Sequence, residues 1–194
     1  MAEVTERPDD ASVIARSLTN PEAFAMIFDR HFDEIHRYLR RRHPEEADEL
    51  AAEVFTAAFD GRARYRRLGD SARPWLYGIA SNLLARRRRS ELRGLRALAR
   101  AGAREPAAGE DALLGVAERL DAQRRSAELA AALSRLNAGD RDVLLLYALS
   151  DLSYEEVACA LELPIGTVRS RLARARRQCG AQLTGPIEED STHV

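Results

Sequence analysis

Apolar side chains recur at helical spacing through most of the 194-residue chain, in runs that proline, glycine and asparagine interrupt. This periodicity predicts amphipathic helices over about 21–42 and 45–59, and a third helix that starts near Pro74. Shorter helices are predicted at about 125–136, 140–149, 153–162 and 165–178. No segment shows the strict alternation of a strand, so the predicted fold class is all-α.

The first three predicted helices each carry an apolar face, and together these faces can bury one small core. The faces consist of Phe24, Phe28, Phe32, Ile35 and Leu39, of Leu50, Val54, Phe55, Ala58 and Phe59, and of Trp75, Leu76, Ile79, Ala80, Leu83 and Leu84. The stretch 99–112 is small, polar and interrupted by glycine and proline, as is typical of a linker. We therefore predict two small helical domains, at 15–95 and 125–182, joined by a flexible linker at 96–124.

Residues 151–178 carry the most specific pattern in the chain. Ser153 and Glu156 have the spacing of a capping box, which predicts that a helix starts there. After a turn at 162–164, a second helix places apolar residues at spacings of four, three and four. These are Val168, Leu172, Ala175 and Cys179, whereas Thr167, Ser170, Arg171, Arg174 and Arg177 point elsewhere, with Arg169 and Arg176 on the flanks.

A helix with one apolar face and one arginine-rich face, preceded by a tight turn, is typical of the recognition helix of a helix-turn-helix unit. Thr167, Ser170 and Arg171 lie in its first turns, from which side chains can reach base edges in the major groove. The remaining predicted DNA-binding residues are Arg169, Arg174 and Arg177, and the later arginines would hold phosphates. The alternative is a solvated amphipathic helix with no DNA partner.

Charge is distributed unevenly along the chain. The net charge is only −1, and all 30 basic residues are arginine. Residues 61–104 hold 13 arginines against Asp70 and Glu91, a net charge of +11, and residues 164–180 hold five arginines and no acid. Residues 45–60, by contrast, hold six acids and no arginine. Two basic blocks and one acidic block indicate two anionic contacts and a separate partner surface.

Several classes of function lack support in the sequence. No stretch approaches the ~20 apolar residues of a membrane span, and the N-terminus has no signal-peptide core, so we expect a cytoplasmic protein without membrane insertion. Histidine spacing suggests no metal pair, and neither a phosphate-binding glycine loop nor a nucleophile triad is present, so we expect no enzyme, no metal and no cofactor. Cys159 and Cys179 are predicted to be plain thiols, with a redox pair as the alternative.

Three segments resemble the sigma-70 family of RNA polymerase sigma factors, in its extracytoplasmic-function group. LPIGTVRSRLARAR (163–176) and the residues before it resemble the DNA-binding region 4. DELAAEVFTAAF (48–59) resembles region 2.2, and ARPWLYGIASNLLARRRR (72–89) resembles regions 2.3 and 2.4. The resemblance covers about 20–93 and 125–180, in the order that the family requires.

The resemblance implies an alternative sigma factor that binds core RNA polymerase and directs promoter recognition and transcription initiation. Asp48, Glu49 and Glu53 would then bind the polymerase clamp. The recognition helix would read the minus-35 element of promoter DNA, and a second set of residues would hold the minus-10 element. That set is Arg62, Arg64, Tyr65, Arg66, Arg67, Asn82, Arg86, Arg87, Arg88 and Arg89. The resemblance also implies an anti-sigma partner, which nothing in the sequence names.

Two consequences of the resemblance can be stated in numbers. Residues 94–124 could span roughly 100 Å when extended, and elements two DNA turns apart lie roughly 70 Å from each other, so one molecule could hold both. Glu162 stands where the family commonly has glycine, which would cost about 1–2 kcal/mol if the backbone there is left-handed.

Two other functions stay open, a stand-alone helix-turn-helix regulator and a general RNA- or nucleoid-binding protein.

Overall fold

The computed structural model describes residues 8–67, 71–100, 129 and 132–180, and these residues form helices and turns without a strand. The helices are α1 (Asp10–Ser17), α2 (Ala25–Arg42), α3 (Ala47–Gly61), α4 (Arg73–Arg100), α5 (Ala138–Leu149), α6 (Tyr154–Ala160) and α7 (Ile165–Gly180). Short 3-10 turns occupy Pro21–Phe24, Pro44–Glu46 and Arg62–Arg64. The all-α prediction is confirmed, as are the predicted helices within the described residues.

The predicted linker lies mostly outside the described residues. α4 continues past residue 95 as far as Arg100, and residues 101–128 are among those not described. The helix predicted at 125–136 is described only in part, and residues 132–135 are helical.

The core of the first domain forms where α2, α3 and α4 meet. Ile35, Leu50, Val54 and Leu76 are fully buried there, and most residues of the three predicted apolar faces join the same cluster. Phe28 departs from the prediction, because it is 40% exposed and lies at the edge of the α2–α3 contact. There it stacks on Phe32, which is half-buried. Helical periodicity placed Phe28 on the apolar face of α2, but it did not show how far α3 covers that face.

Helix α1 precedes the first predicted helix and was not predicted. Its sequence, DASVIARS, offers few apolar residues for a periodic pattern. Val13 and Ile14 are nonetheless buried against the first domain, and the predicted domain boundary at residue 15 falls inside the helix. Asp9 caps the helix by accepting a hydrogen bond from the Ser12 amide at 2.7 Å.

A buried ionic network joins α1 to α2 and to the start of α4. The two Asp10 carboxylate oxygens accept from Arg30 Nη1 at 2.7 Å, from His31 Nε2 at 2.7 Å and from the Ala72 amide at 2.8 Å. The second ring nitrogen of His31 lies 3.2 Å from Glu34. Because a carboxylate accepts at each ring nitrogen, the charged imidazolium fits this site. Burial opposes that charge, but the bonds to Asp10 and Glu34 outweigh burial and raise the pKa of His31 to about 9.

The second domain is built from α5, α6 and α7. Val143, Leu146, Val157 and Val168 are fully buried at the contacts between these helices. The predicted capping box is present, since the Ser153 hydroxyl accepts from the Glu156 amide and the Glu156 carboxylate accepts from the Ser153 amide.

The turn between α6 and α7 closes in a left-handed conformation. Glu162 has φ 53°, which lies in the left-handed region of backbone conformation. The Leu163 amide donates to the Ala158 carbonyl at 2.9 Å, and the Glu162 amide donates to the Cys159 carbonyl at 3.2 Å. These two bonds form a Schellman motif, in which glycine is the usual left-handed residue. The motif reverses the chain within a few residues and so sets the direction of α7.

The two domains pack against each other through α4 and α6, a contact that we call the domain interface. Leu76, Tyr77 and Ala80 of α4 belong to the same buried cluster as Leu152 and Val157 of the second domain. The two small domains therefore share one continuous apolar core in this structure.

Candidate nucleic-acid interface

Helix α7 presents an arginine-rich face to solvent because its apolar face is packed inward. Val168, Leu172, Ala175 and Cys179 are all buried, as the spacing predicted. Among the polar residues that the spacing placed off this face, Arg169, Ser170, Arg174, Arg176 and Arg177 are exposed, and Thr167 and Arg171 are half-buried. All six residues predicted to bind DNA thus lie off the packed face, on the arginine-rich side of one helix.

The first turn of α5 holds two of these arginines in place. The Arg171 guanidinium lies against Gly139, where an added Cβ would come within 2.5 Å of Arg171 Nη1. Arg174 Nη1 forms an ion pair with Asp140 Oδ2 at 3.3 Å, and Asp140 is 1% exposed. Gly139 and Asp140 were not predicted to belong to this site, because no helical spacing links them to α7.

The four arginines at 86–89, in the middle of α4, have different partners. Arg87 forms ion pairs with Glu46, Glu49 and Glu53 of the first domain. The hydrogen bonds that it donates to these carboxylates, the one to Glu53 above all, raise the pKa of Arg87 above its ordinary value. Arg88 instead donates to both carboxylate oxygens of Asp142 in α5, at 3.2 and 3.3 Å.

The other two arginines of this block remain on the surface. Arg86 and Arg89 are exposed, and neither forms a hydrogen bond or ion pair with any residue that the structure describes. The run of four arginines therefore leaves two guanidinium groups directly available to a nucleic acid.

The segment after α3 also mixes internal and exposed residues. Arg62 donates to the carbonyl oxygen of Phe59 and lies 3.7 Å from the centre of that ring, so it folds back onto the first domain. Tyr65 packs against Trp75, with ring centres 4.9 Å apart. Arg67 forms an ion pair with Asp9 at 3.0 Å, with 58% of its side chain exposed.

Arg64 and Arg66 are exposed and lie at the mouth of a cleft between the two domains. The cleft has a volume of 820 Å³. Its first-domain wall is formed by Arg64, Arg66, Pro74, Trp75, Gly78, Ile79 and Asn82, and its second-domain wall by Ala158, Cys159, Ala160, Glu162 and Leu163. Asn82 is exposed on α4, so the structure places it on the same wall of this cleft as the two arginines.

The acidic residues predicted to bind polymerase lie on the outer face of α3. Asp48 accepts from His36 Nε2 at 2.8 Å, yet 97% of its side chain is exposed. Glu49 is largely exposed and Glu53 is half-buried, and both form ion pairs with Arg87. The negative charge is therefore fully exposed at Asp48 and is partly neutralised by Arg87 at Glu49 and Glu53.

The structure offers no sign of a metal centre or a disulfide within its described part. No three His, Cys, Asp or Glu side chains converge there in a way that could hold a metal ion. Cys159 and Cys179 are free thiols, and burial raises the pKa of each. Among the described helices, none combines the length and apolar character that a bilayer crossing requires.

Comparison with known proteins shows the family. Residues 27–94 match the family described as Sigma-70 region 2, and residues 126–179 match Sigma-70, region 4. The RNA polymerase sigma-H factor of Pseudomonas aeruginosa is 35% identical over 154 residues, which cover 75% of this chain and 77% of that protein. The ECF RNA polymerase sigma factor SigE of Mycolicibacterium smegmatis is 33% identical over 153 residues, which cover 77% of this chain and 57% of that protein.

A solved structure supports the same conclusion at the level of the fold. CnrH, in complex with the cytosolic domain of CnrY, superposes with a TM-score of 0.58 and 27% identity, covering 90% of this chain and 96% of that one. The chain belongs to the sigma-70 family of RNA polymerase sigma factors, in the extracytoplasmic-function group, whose members bind core RNA polymerase and direct transcription from promoters. As a sigma factor it is not an enzyme.

Proposed function

We propose that α7 reads the minus-35 element of the promoter. Thr167, Ser170 and Arg171 would meet base edges in the major groove, because they lie in the first turns of a helix whose opposite side is buried. Arg169, Arg174 and Arg177 would contact phosphates on either side of the groove. Arg174 is held by Asp140, which would fix its direction toward one strand.

The minus-10 element would lie along the exposed side of α4 and the segment before it. Asn82, Arg86 and Arg89 are exposed on α4, and Arg64 and Arg66 are exposed nearby. A positive groove of this kind suits an opened strand, for which Tyr65 would offer a stacking surface. Arg62, Arg67, Arg87 and Arg88 belong to the same assignment, but each has a partner within the chain that DNA would have to replace.

Core polymerase would dock on the acidic face of α3, where Asp48, Glu49 and Glu53 meet solvent. The two proposed domains, 15–95 and 125–182, would then hold separate promoter elements, with 96–124 as the linker. We place this activity in the bacterial cytoplasm, where polymerase and chromosome lie. The complex of CnrH with CnrY supports the further proposal that an anti-sigma factor holds this chain.

One observation carries the assignment, namely that α7 buries its apolar stripe and turns its arginines outward within a helix-turn-helix unit. The test is reconstitution of the full chain with core polymerase on a library of genomic fragments. We expect promoter-directed transcripts whose start sites share two upstream elements, and transcription that falls when Arg171 is replaced by alanine. A chain that binds a palindrome as a dimer and neither binds core polymerase nor yields transcripts would instead be the stand-alone regulator.

A further inference from the structure

The first turn of α5 lies beside the arginine-rich face of α7. Both helices contribute buried apolar residues to one core, namely Val143, Leu146, Val168 and Leu172. This packing brings Gly139 and Asp140, the second and third residues of α5, next to arginines of α7. Two residues of one helix can therefore influence how the other helix presents its arginines.

The carboxylate of Asp140 is held in place by the start of its own helix. The Asp140 amide donates to the side-chain oxygen of Asn137 at 2.9 Å, and Asn137 Nδ2 donates to Asp140 Oδ2 at 2.7 Å. Asn137 is the N-cap of α5, so the carboxylate belongs to the capped helix start. Arg141 donates three further hydrogen bonds to carbonyl oxygens of the preceding segment. The Asp140 carboxylate therefore offers a fixed partner to the facing helix.

Asp140 forms its ion pair with Arg174 from a buried position. Asp140 is 1% exposed, whereas 48% of the Arg174 side chain is exposed. Arg174 contributes Nη1, which lies 3.3 Å from Asp140 Oδ2. A guanidinium has five N–H donors, so the others can bind a second partner such as a phosphate. Because its carboxylate is buried, Asp140 can act on DNA only through Arg174.

Stability alone does not account for a carboxylate at this position. Asp140 Oδ1 is buried and accepts no hydrogen bond from any residue that the structure describes. A buried acceptor without a donor costs stability. The ion pair with Arg174 thus has a role that an uncharged side chain at position 140 would not supply.

Gly139 makes room for the guanidinium of Arg171. A Cβ added at Gly139 would lie 2.5 Å from Arg171 Nη1 and 3.0 Å from Arg171 Cζ. Alanine favours a helix more than glycine does, so α5 itself does not require a glycine here. Since the neighbour is the end of a flexible side chain, a Cβ would displace the guanidinium and leave the backbone in place. Gly139 therefore determines where the Arg171 guanidinium lies.

An arginine held in one direction binds DNA differently from a free one. Phosphate contacts set the register of a protein on the duplex. In the correct register, Arg174 would meet its phosphate without further loss of side-chain freedom. In any other register it would first have to leave Asp140, whose carboxylate repels phosphate. The ion pair therefore favours the register in which Thr167, Ser170 and Arg171 reach their bases.

We propose that the first turn of α5 determines promoter specificity through two arginines of α7. Asp140 positions Arg174 for a phosphate contact in one register, and Gly139 positions Arg171 for a base contact. This inference rests on the proposed function, since it requires that α7 reads the minus-35 element. Both are positioning residues, so their substitution lowers discrimination between DNA sequences more than it lowers affinity for DNA.

The first variant removes the charge at position 140 and has a charge-matched control. Asp140→Asn retains an acceptor oxygen for Asn137 but loses the negative charge that holds Arg174. The control is Glu155→Gln, which changes the net charge equally. Glu155 is exposed in the first turn of α6, and its side chain forms no hydrogen bond or ion pair with any residue that the structure describes. Circular dichroism and urea unfolding verify the fold of each variant.

Two measurements separate specificity from affinity. Holoenzyme reconstituted from core polymerase and the full chain is bound to the mapped promoter and to the same promoter with a scrambled minus-35 element. The ratio of the two dissociation constants is the discrimination. The full chain alone is bound to a duplex of unrelated sequence at several salt concentrations.

The expected results distinguish positioning from net charge. Asp140→Asn should lower the discrimination about two- to fivefold, as expected for the loss of one partly exposed ion pair. It should also bind the unrelated duplex more tightly, with a salt slope steeper by about one, because the released Arg174 becomes an additional phosphate contact. Glu155→Gln should leave both quantities as they are in the parent chain.

A double-mutant cycle and a glycine variant complete the test. In an Arg174→Ala background, Asp140→Asn should have no further effect on discrimination, because the ion pair is already absent. Gly139→Ala should weaken binding to the intact minus-35 element about three- to tenfold, without lowering the free energy of unfolding. Its control is Gly61→Ala, since a Cβ at Gly61 meets nothing within 4 Å.

Each failure has a separate meaning. Equal discrimination in Asp140→Asn and Glu155→Gln, or an effect of Asp140→Asn that persists in Arg174→Ala, would overturn the role of Asp140. Equal minus-35 affinity in Gly139→Ala and Gly61→Ala would overturn the role of Gly139. Absence of promoter-directed transcripts from the parent chain would reject the assigned function, and the salt slope on the unrelated duplex would still decide whether Asp140 holds Arg174.

Discussion

Helices α4 and α7 have similar compositions but use their arginines differently. Both bury one apolar face and carry several arginines on the other sides. In α7, Arg169 and Arg177 are exposed and have no hydrogen bond or ion pair among the described residues. In α4, Arg87 and Arg88 are bound to carboxylates of α3, the turn before it and α5. A run of arginines thus has no single role, since nearby acids decide which of them remain free.

The two helices also start differently. The first turn of α4 is stabilised by another helix, because Asp10 of α1 accepts a hydrogen bond from the Ala72 amide within a buried ionic network. α7 begins directly after the Schellman turn at Glu162, a residue held at φ 53°. The start of α4 should therefore respond to pH, whereas the start of α7 should respond to the choice of residue in one turn.

The largest expected effect concerns the His31 network. A folded pKa of about 9 exceeds the ordinary value of 6.5, so the network stabilises the fold fully below about pH 6.5 and loses this contribution as the pH rises through 9. Burial opposes the Asp10 charge, but the hydrogen bonds that Asp10 accepts outweigh burial and lower its pKa. Asp10 therefore contributes fully to stability at pH values above its ordinary pKa of 3.8. His31→Gln should therefore cost on the order of 2–3 kcal/mol at pH 6 and far less at pH 9.5.

Urea unfolding at both pH values measures this difference. Asp10→Asn is the companion variant, and the double variant should lose little more than either single one, since the two groups act together. A cost of His31→Gln that is the same at pH 6 and pH 9.5 would show that the imidazolium charge does not stabilise the start of α4.

The second prediction separates two arginines within α7. Arg171→Ala should weaken promoter binding by about 1–3 kcal/mol and relax the preference for one base of the minus-35 element. Arg177→Ala should weaken binding to all sequences alike and lower the salt slope by about one. Binding of both variants to promoters with single base changes, at several salt concentrations, measures these effects. If Arg171→Ala weakened every promoter equally, Arg171 would be a phosphate contact.

The contrast between the helices was only partly visible in the sequence. Local signals were sufficient for α7, because helical spacing marked Val168 and Leu172 as buried and the Ser153–Glu156 pair marked the start of α6. The same periodicity found α2, α3 and α4. These features depend on residues a few positions apart, which is the range over which a periodic pattern carries information.

The partners of α4 could not be predicted in this way. Asp10 meets His31 across 21 positions, and Arg87 meets Glu53 across 34. Helix α1 is too short to show a pattern of its own, and the domain interface depends on the missing side chain of Gly78. Each of these contacts is fixed by packing between distant segments, so local spacing and propensity do not reveal them.

The third prediction tests whether Arg87 has a structural role. Arg87→Ala removes three ion pairs and leaves Glu46, Glu49 and Glu53 close together. We expect it to lower the free energy of unfolding by about 1–2 kcal/mol, since exposed pairs contribute 0.2–1 kcal/mol each. Arg86→Ala, the adjacent control, should change stability by less than about 0.5 kcal/mol. Equal costs in urea unfolding would mean that the carboxylates do not distinguish the two arginines.

The smallest expected effect lies in the turn before α7. Glu162→Gly should raise the free energy of unfolding by about 1 kcal/mol, because glycine adopts a positive φ without the clash of a Cβ. Glu162→Ala is the matched control, since it removes the carboxylate and keeps the Cβ, so it should bring no such gain. Urea unfolding of the three chains distinguishes the cases. A gain in Glu162→Ala equal to that in Glu162→Gly would assign the cost to the carboxylate, which lines the cleft, and not to the backbone. The start of α7 would then depend on charge, as the start of α4 does.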